Sequence, residues 1–293
     1  MQNPLGESAA SDPEDRDLVR QAQGGNREAI EQLITRHQAW IFNIVLRMVY
    51  LPQDAEDATQ EVLVKLITKL PTFVGNSSFR TWLYRIVVNH VLNMKRGRAD
   101  IAGWSFTRYG DSLEATPDLD LPDPRSVPAD VQLLVDEARI GCTSGMLLCL
   151  DREQRLIYIL GEIFGVTDVV GAELLEISRE NFRQKLARAR RDLHNFLHDK
   201  CGLVNGANPC RCAKKTQGFM KAGFVDPQIL LFAREHVTGV RDVAEKTCED
   251  LDALDEAYAE LHRDHPFQEP ADFMTSLRTL INGIDFKSAL EPE

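Results

Sequence analysis

The spacing of apolar residues is the feature that most constrains the fold of this chain. Over residues 17–48 and 79–94, apolar residues recur at three- and four-residue steps, which is the pattern of an amphipathic helix with one buried side. The pattern resumes after residue 131, and no run alternates cleanly between apolar and polar residues as a half-buried strand would. We therefore predict an all-α protein.

Prolines, glycines and charges divide this helical pattern. Four prolines and many acidic residues between residues 99 and 130 are typical of an extended, solvated linker. The run "GLVNGANPC" interrupts the pattern again after residue 201. The predicted organisation is a disordered lead at 1–14, a helical domain at 15–98, a flexible acidic linker at 99–130, a second helical domain at 131–200 and a cysteine-containing acidic helical extension at 201–293.

The formal net charge is −11, and charge is strongly segregated along the chain. Residues 226–293 contain sixteen acidic and six basic residues. Residues 80–98, in contrast, contain five basic residues and no acidic one, and residues 179–191 contain six basic residues and one glutamate. Such segregation indicates separate tasks for separate segments, and the two basic segments are candidates for nucleic-acid binding.

The second basic segment lies in a helix-turn-helix pattern. "LDREQRLIYILGEIFGVTDVVGAELLEISRENFRQKLARARRDLHNFL" predicts a helix, a short helix and a long helix separated by turns, with Ser178 as the N-cap of the long helix. A basic helix after a tight turn suits the DNA major groove, where cations bind phosphates and Arg or Asn reads base edges. A solvated surface helix is the alternative, but the near absence of acidic partners favours DNA binding.

The first basic segment, "GNSSFRTWLYRIVVNHVLNMKRGR" at residues 75–98, combines cations with aromatic residues. Single-stranded nucleic acid is bound in this way, because bases stack on rings or flip into pockets while cations follow the phosphates. The alternative is that Phe79, Trp82 and Tyr84 form the buried side of a helix. Spacing alone leaves both interpretations open.

Two long segments carry a resemblance to a known family. "DAEDATQEVLVKLITKLPTFVGNSSFRTWLYRIVVNHVLNMKR" resembles region 2 of bacterial RNA polymerase sigma factors of the extracytoplasmic-function (ECF) type, and the helix-turn-helix segment resembles their region 4. The resemblance implies a promoter-specificity subunit in the cytoplasm, without catalytic activity or a required cofactor. It also implies three partners: core RNA polymerase, through its β′ coiled coil and β flap, promoter DNA, and an anti-sigma factor.

The resemblance further implies three sets of contact residues. The residues that would capture and melt the minus-10 promoter element are Asn76, Ser77, Ser78, Phe79, Arg80, Trp82, Arg85, Asn89, Lys95, Arg96 and Arg98. Those that would read the minus-35 element are Arg179, Asn181, Arg183, Lys185 and Arg188. Those that would bind the polymerase β′ coiled coil are Asp54, Asp57, Gln60 and Glu61. Without the resemblance, this last set would be interpreted as a solvated helix face.

The helix-turn-helix departs from the usual pattern of the family. Val170, Gly171 and Ala172 replace Glu-Ile-Ala. Glu176 occupies a turn position that usually holds glycine, which tolerates a positive φ, and Phe182 replaces a smaller aliphatic residue. We expect the fold to persist with an altered docking angle and minus-35 sequence.

The extension opens with a cluster of Cys and His residues. Thiolate and imidazole ligands suit Zn²⁺ or Cu⁺, and some members of the family carry cysteine-rich tails that sense metal. The alternatives are a redox switch, or reduced buried thiols and ordinary helix-end histidines. Cys248 is a further candidate ligand, whereas Cys142 and Cys149 are expected in the core. The candidate metal ligands are Cys201, Cys210, Cys212, His194 and His198.

The acidic tail after residue 225 has three interpretations. It is a solvated helical domain, a segment that docks on polymerase, or a cover over the basic DNA-binding faces until a signal releases it.

Two other classes of function compete with the sigma-factor prediction: a free-standing helix-turn-helix regulator and an anti-sigma or adaptor protein. No nucleophile–base pair, phosphate-binding loop or metal-catalytic motif indicates an enzyme. No apolar run approaches the length of a membrane span, and the N-terminus lacks a secretory signal pattern, so we expect a cytoplasmic protein.

Overall fold

The computed structural model describes residues 12–95, 97–121, 125–126, 131–232, 260–263, 265 and 267–283. Every regular element in these ranges is a helix, which confirms the all-α prediction. Among these helices none is long and apolar enough to cross a membrane.

The α-helices of the described ranges are α1 (Pro13–Gln23), α2 (Arg27–Val49), α3 (Pro52–Lys69), α4 (Phe79–Asn93), α5 (Arg98–Ile101), α6 (Phe106–Ala115), α7 (Val131–Met146), α8 (Arg152–Tyr158), α9 (Asp168–Leu175), α10 (Arg179–Lys200), α11 (Cys212–Lys221) and α12 (Phe273–Gly283). Short 3-10 turns at Leu70–Thr72 and Leu147–Cys149 follow α3 and α7. A π-helical turn at Ile159–Ile163 continues α8.

The chain divides into two compact units. The first unit comprises residues 1–95, 164–183 and 268–293, and the second comprises residues 96–163 and 184–267. The first unit therefore contains the helices α1 to α4, α9 and α12, and the division passes through α10.

Helix α2 is central to the first unit. It packs against α1, α3, α4 and α12, and Ile41, Ile44 and Val45 along it are almost completely buried. Burial of each such side chain contributes about 2 kcal/mol relative to exposure. The spacing of these residues is the three- and four-residue periodicity that predicts the helix.

Side chains at the helix starts account for where α1, α2 and α4 begin. Asp12, Asn26 and Ser78 each accept a hydrogen bond from a backbone N–H of the first helical turn. Proline occupies the first position of α1 and of α3, where a missing N–H costs nothing. These caps satisfy donors that would otherwise have no partner within the helix.

The segment expected to be an extended linker contains the helices α5 and α6. Ser105 caps α6, and the Tyr109 ring packs edge-on against Phe196 with the ring centroids 5.8 Å apart. Asp100 of α5 accepts hydrogen bonds from the buried Arg155 (2.9 Å) and from Arg152 (2.8 Å). These contacts, all within the second unit, order α5 and α6 at the start of the segment that was predicted to be extended. Its prolines at 122, 124 and 128 lie outside the described residues.

The part of the extension that follows α10 packs against α7 in the second unit. The Glu137 carboxylate accepts hydrogen bonds from the backbone N–H groups of Leu231 (2.7 Å) and Phe232 (2.8 Å). Buried Lys215 on α11 donates to the Thr116 carbonyl. An apolar cluster of α7 and the extension lies alongside these bonds. Because these polar groups are buried and paired, removing this part of the extension would leave them unsatisfied.

The departures of the helix-turn-helix from the family pattern fit one another. Phe182 is fully buried, and its ring lies beside Gly171, where an added Cβ would clash with it. The large Phe182 side chain thus fills the volume that Gly171 leaves empty. Glu176 adopts the left-handed conformation (φ 56°, ψ 39°), which glycine would adopt with less strain. The Ser178 hydroxyl accepts a hydrogen bond from the Asn181 N–H (3.1 Å), which confirms the predicted N-cap.

We expect Gly171→Ala to lower the free energy of unfolding by about 2 kcal/mol, because the added methyl group overpacks the space against the Phe182 ring. Adding Phe182→Leu should recover part of that loss, so that the double-mutant cycle in urea unfolding shows favourable coupling. Gly206→Ala is the matched control, since a Cβ there meets open space. Equal effects at positions 171 and 206, or no coupling, would contradict this packing.

Candidate nucleic-acid and polymerase interfaces

The loop before α4 borders a cavity of about 300 Å³ in the first unit. Its lining includes Ser77, Ser78 and Phe79 on one side and Asp12 and Asp15 on the other. This volume is at the lower end of the range for pockets that hold small ligands. The predicted minus-10 loop therefore lies beside a concave site, and its remaining member, Asn76, is exposed.

A buried carboxylate, Asp15, fixes this end of the first unit. Its side chain is 3 % exposed and accepts hydrogen bonds from Arg80 (2.7 Å) and Arg36 (2.9 Å), with His37 at 3.3 Å. Burial alone would raise the pKa of Asp15, but the hydrogen bonds and charges of His37 and the two arginines outweigh it and hold the pKa well below its usual range. Asp12 pairs with both arginines. Arg80, a predicted DNA contact, is therefore engaged by two carboxylates of α1 and its cap.

The aromatic residues of this segment serve packing and also shape the cavity. Phe73, Phe79 and Trp82 lie with their ring centroids 5.2–6.0 Å apart. Phe79 is 5 % exposed and Tyr84 is fully buried, whereas Trp82 is half-buried. The two interpretations left open by spacing are thus not exclusive, because Phe79 belongs to the core and also lines the cavity.

The remaining members of the predicted minus-10 set lie along α4 and beyond it. Arg85 donates to Glu173 of α9 at 3.0 Å, and α9 packs against α4 within the first unit. Asn89 and Lys95 are exposed. Arg96 lies outside the described residues, and only the backbone of Arg98, at the start of α5, is described.

The predicted polymerase set lies on α3. Asp57, Gln60 and Glu61 are exposed, and Asp54 is half-buried. Because Asp54, Asp57 and Glu61 follow each other by three and four residues, they lie on one face of the helix, opposite buried residues such as Leu63. The result is a largely accessible acidic strip, in which Glu61 lies 3.7 Å from the buried His90 ring.

The predicted minus-35 set lies along the first three turns of α10. Arg179, Arg183 and Arg188 are exposed, and Asn181 and Lys185 are half-buried. In the first unit Arg183 donates to Asp168 (2.5 Å), while in the second unit Lys185 donates to Glu153 (2.5 Å). Exposed ion pairs of this kind contribute little to stability, so DNA phosphates can displace them at small cost.

Three predicted metal ligands lie together with a fourth cysteine in the second unit. A cavity of about 20 Å³ is lined by Cys142, Cys201, Cys210 and Cys212. Burial is the main factor that raises the pKa of all four thiols, that of Cys212 to about 12. Within the part of the chain described here, no group of three or more His, Cys, Asp or Glu side chains could hold a metal ion in the arrangement that the structure shows.

The two predicted histidine ligands are not part of the cavity lining. His198 is exposed and lies 3.5 Å from Asp199, and His194 is half-buried. Cys149 lies outside the cavity too, and burial raises its pKa to about 12. Cys248 falls outside the described residues.

Sequence reasoning missed two of these features, the Asp15 network and the participation of Cys142. A signal for the first exists, because Asp15 continues the buried stripe of Leu18, Val19 and Ala22 on α1. A carboxylate on an apolar stripe needs cationic partners. Cys142 gave no comparable signal, since a cysteine on a buried helix face is usually a core residue.

Comparison with known proteins identifies relatives of one kind. Residues 33–101 match the family model of Sigma-70 region 2. The chain is 26% identical over 190 residues to the RNA polymerase sigma-H factor of Pseudomonas aeruginosa, which covers 63% of this chain and 94% of that protein. It is 27% identical over 189 residues to the ECF RNA polymerase sigma-E factor of Haemophilus influenzae, which covers 62% of this chain and 95% of that protein.

Solved structures are also similar. One of them is that of CnrH in complex with the cytosolic domain of CnrY, at 25% identity and a TM-score of 0.44, covering 64% of this chain and 99% of that chain.

We expect Asp15→Asn to lower the free energy of unfolding at neutral pH by about 3 kcal/mol, because it removes the buried charge that pairs with the guanidinium groups of Arg36 and Arg80. Asp17→Asn is the matched control on the same helix. Its carboxylate is 54% exposed and pairs with Arg20, so its loss should cost less than about 0.5 kcal/mol. Urea unfolding of both variants measures the difference.

The effect of Asp15→Asn should depend on pH. The folded-state pKa of Asp15 lies below the ordinary value of 3.8, so the contribution of the carboxylate is present above that value and is lost as the pH falls below it. The wild type should therefore approach the variant in stability between about pH 4 and pH 2. A difference that stays constant over this range would contradict the role of the charge.

Proposed function

Since the region 2 match and the relatives support an RNA polymerase sigma factor of the ECF type, we propose that this chain directs core polymerase to promoters and melts the minus-10 element. The match of residues 33–101 carries the proposal, because it contains the acidic strip of α3 and the loop before α4. Sigma factors are not enzymes and need no cofactor. The alternative of a free-standing helix-turn-helix regulator is not favoured, because such a protein needs no region 2. The cytoplasm is the expected site of action.

Binding to core polymerase is proposed for the acidic strip of α3. The exposed carboxylates of Asp57 and Glu61 suit a basic surface such as one face of the β′ coiled coil. The buried side of the same helix packs on α2 and α4, so a partner that binds the strip also positions the promoter-binding helix.

Capture of a flipped base is proposed for the cavity beside the loop before α4. Flipping costs a few kcal/mol, and stacking on an aromatic ring returns about 1–3 kcal/mol per base. Phe73 and Phe79 line the cavity, and the Asp12 and Asp15 carboxylates can accept a hydrogen bond from a base amino group. Asn76 lies exposed in the same loop, and Arg85 of α4 and the exposed Lys95 beyond it would follow the phosphates.

Recognition of the minus-35 element is proposed for the first turns of α10. Exposed Arg179 and Arg183 have the donors for guanine edges or phosphates. Gly171 and Phe182 pack closely where α9 meets this helix, and relatives with the usual residues lack this contact. The preferred promoter sequence should therefore differ from that of those relatives. An anti-sigma factor remains a further predicted partner.

Run-off transcription with purified core polymerase tests the proposal, using the promoter upstream of the chain's own gene among the templates. We expect initiation by the wild type and its loss in the double variant Asp57→Lys and Glu61→Lys, with core affinity lowered at least about 10-fold. Glu28→Lys, an exposed charge reversal on α2, is the matched control.

The variant Asn76→Ala tests promoter melting separately. It should bind core polymerase like the wild type but reduce the permanganate reactivity of the minus-10 thymines. If neither the wild type nor the Glu28→Lys control initiates transcription, the proposal is overturned.

We also propose that the C-terminal helix α12 restrains the polymerase-binding unit in cis. Phe273, Leu277 and Ile281 form its buried stripe, and α12 packs on α2 and α3. The Asn43 amide accepts from and donates to the backbone of Gln268, at 3.0 and 2.8 Å. The contact of α12 with α3 supports the proposed restraint, because α3 carries the acidic strip.

The double variant Phe273→Ala and Leu277→Ala should undock α12 and raise the affinity for core polymerase by about 5-fold or more, the lower range of typical coupling between sites. Thr279→Ala on the exposed side of the same helix is the control. Fluorescence anisotropy with labelled full-length protein measures the affinity. If both variants bind core polymerase like the wild type, the helix does not restrain the factor.

A further inference from the structure

Four cysteines from three segments of the second unit converge on one cavity. Cys142 lies on α7, Cys201 directly follows α10, and Cys210 and Cys212 lie at the start of α11. The cavity volume of about 20 Å³ is enough for one water-sized occupant. Segments that are distant in sequence thus bring four cysteine residues to the lining of one small cavity.

The loop between Cys201 and Cys210 is built around the two sulfur atoms. The backbone N–H groups of Leu203 and Val204 act to lower the pKa of Cys201, and that of Gly202 acts to lower the pKa of Cys210, both against the larger effect of burial. Such donors stabilise a thiolate more than a thiol. They are the kind of second layer of hydrogen bonds that orients the ligands of a metal.

Close packing explains why glycine occupies position 202. An added Cβ there would clash with the Cys210 carbonyl and the Arg211 guanidinium. Arg211 donates to the carbonyls of Cys210 (2.9 Å) and Gly206 (2.9 Å), which closes the loop. The loop that brings Cys210 back toward Cys201 is therefore fixed by its own backbone contacts, without help from a disulfide.

Positive charges stand beside the thiols. Arg139 and Lys200 line the same cavity, and the Arg139 charge acts to lower the pKa of Cys212 against the larger effect of burial. Arg139 and Lys200 are themselves paired with the carboxylates of Asp136 and Glu114. Without a cation, burial keeps the thiols protonated.

We propose that one Zn²⁺ ion binds in this cavity as a tetrathiolate centre formed by Cys142, Cys201, Cys210 and Cys212. Tetrahedral coordination by four cysteines is a standard structural zinc site. The thiols line the cavity without yet having the geometry of the formed centre, so binding involves rotation of their side chains and release of about one proton per thiol. The ion would join α7, the end of α10 and the start of α11.

This assignment differs from a site that uses the histidines of α10. Cys142 lies in the cavity lining, and His194 and His198 do not. The centre would be a structural clamp of the second unit. The inference is independent of polymerase and promoter binding.

Full-length protein, purified with a thiol reductant, tests the proposal through metal binding alone. We expect one Zn²⁺ per chain, release of protons into weak buffer, and thiolate-to-metal charge-transfer bands when Co²⁺ replaces Zn²⁺. Cys142→Ser should weaken Zn²⁺ binding at least about 10-fold. Because Cys142 lies on α7, this loss would show that a residue outside the extension is a ligand. Cys149→Ser is the matched cysteine control, and His194→Ala and His198→Ala should bind like the wild type.

A measurement on the wild type guards against variants that fail to fold. Zn²⁺ should protect Cys142, Cys201, Cys210 and Cys212 from alkylation, as read by mass spectrometry of peptides, and leave Cys149 unchanged. Absence of stoichiometric Zn²⁺ binding, failure to protect Cys142, or a loss in the histidine variants equal to that in Cys142→Ser would overturn the proposal.

Discussion

The buried carboxylate of Asp15 is the interaction on which the first unit depends. It joins α1 to α2 through Arg36 and His37, and to the first turn of α4 through Arg80. A buried charge is costly unless it is paired and hydrogen-bonded, so these partners must be in place for the unit to fold. The same contacts fix the position at which α4 begins. The loop that borders the cavity is therefore positioned by ion pairs between α4 and the helices that precede it in the chain.

This arrangement has a consequence for DNA recognition. Asp12 and Asp15 lie in the lining of the proposed base pocket, where phosphate would be repelled and a base amino group accepted. Arg80 neutralises them from the protein side. In the proposed interaction, a pocket with two carboxylates and the Phe79 ring would favour a base over the backbone, and the exposed Asn89 of α4 and Lys95 beyond it would contact the phosphates.

How well the sequence predicts the structure depends on how far apart in the chain the interacting residues lie. Helical periodicity and capping chemistry are local, so the all-α class and the N-cap at Ser178 are evident before the structure. The acidic strip of α3 also follows from three- and four-residue spacing. The helix α6 is different, because it is ordered by packing of Tyr109 on Phe196, far along the chain. Composition, which describes only the segment itself, therefore predicted an extended linker.

The same limit applies to the candidate sites. The pair of Asp15 and Arg80 spans 65 residues, and Cys142 meets Cys201 only through the packing of separate helices. Neither arrangement has a local pattern of its own. The compensation of Gly171 by Phe182 lies between these cases, since two departures eleven residues apart in one motif together suggest a shared cause. Pairs of departures are thus more informative than single ones.

The two parts of the extension differ in how they can act. The part after α10 is held to α7 by buried polar groups, including Glu137 and Lys215, so it behaves as core of the second unit. Helix α12 has only eleven residues, a length at which an isolated helix is marginal in water. Its helical state is therefore stabilised by the contacts with α2 and α3. In the proposed restraint, a partner that takes over those contacts would unfold the helix as it displaces it.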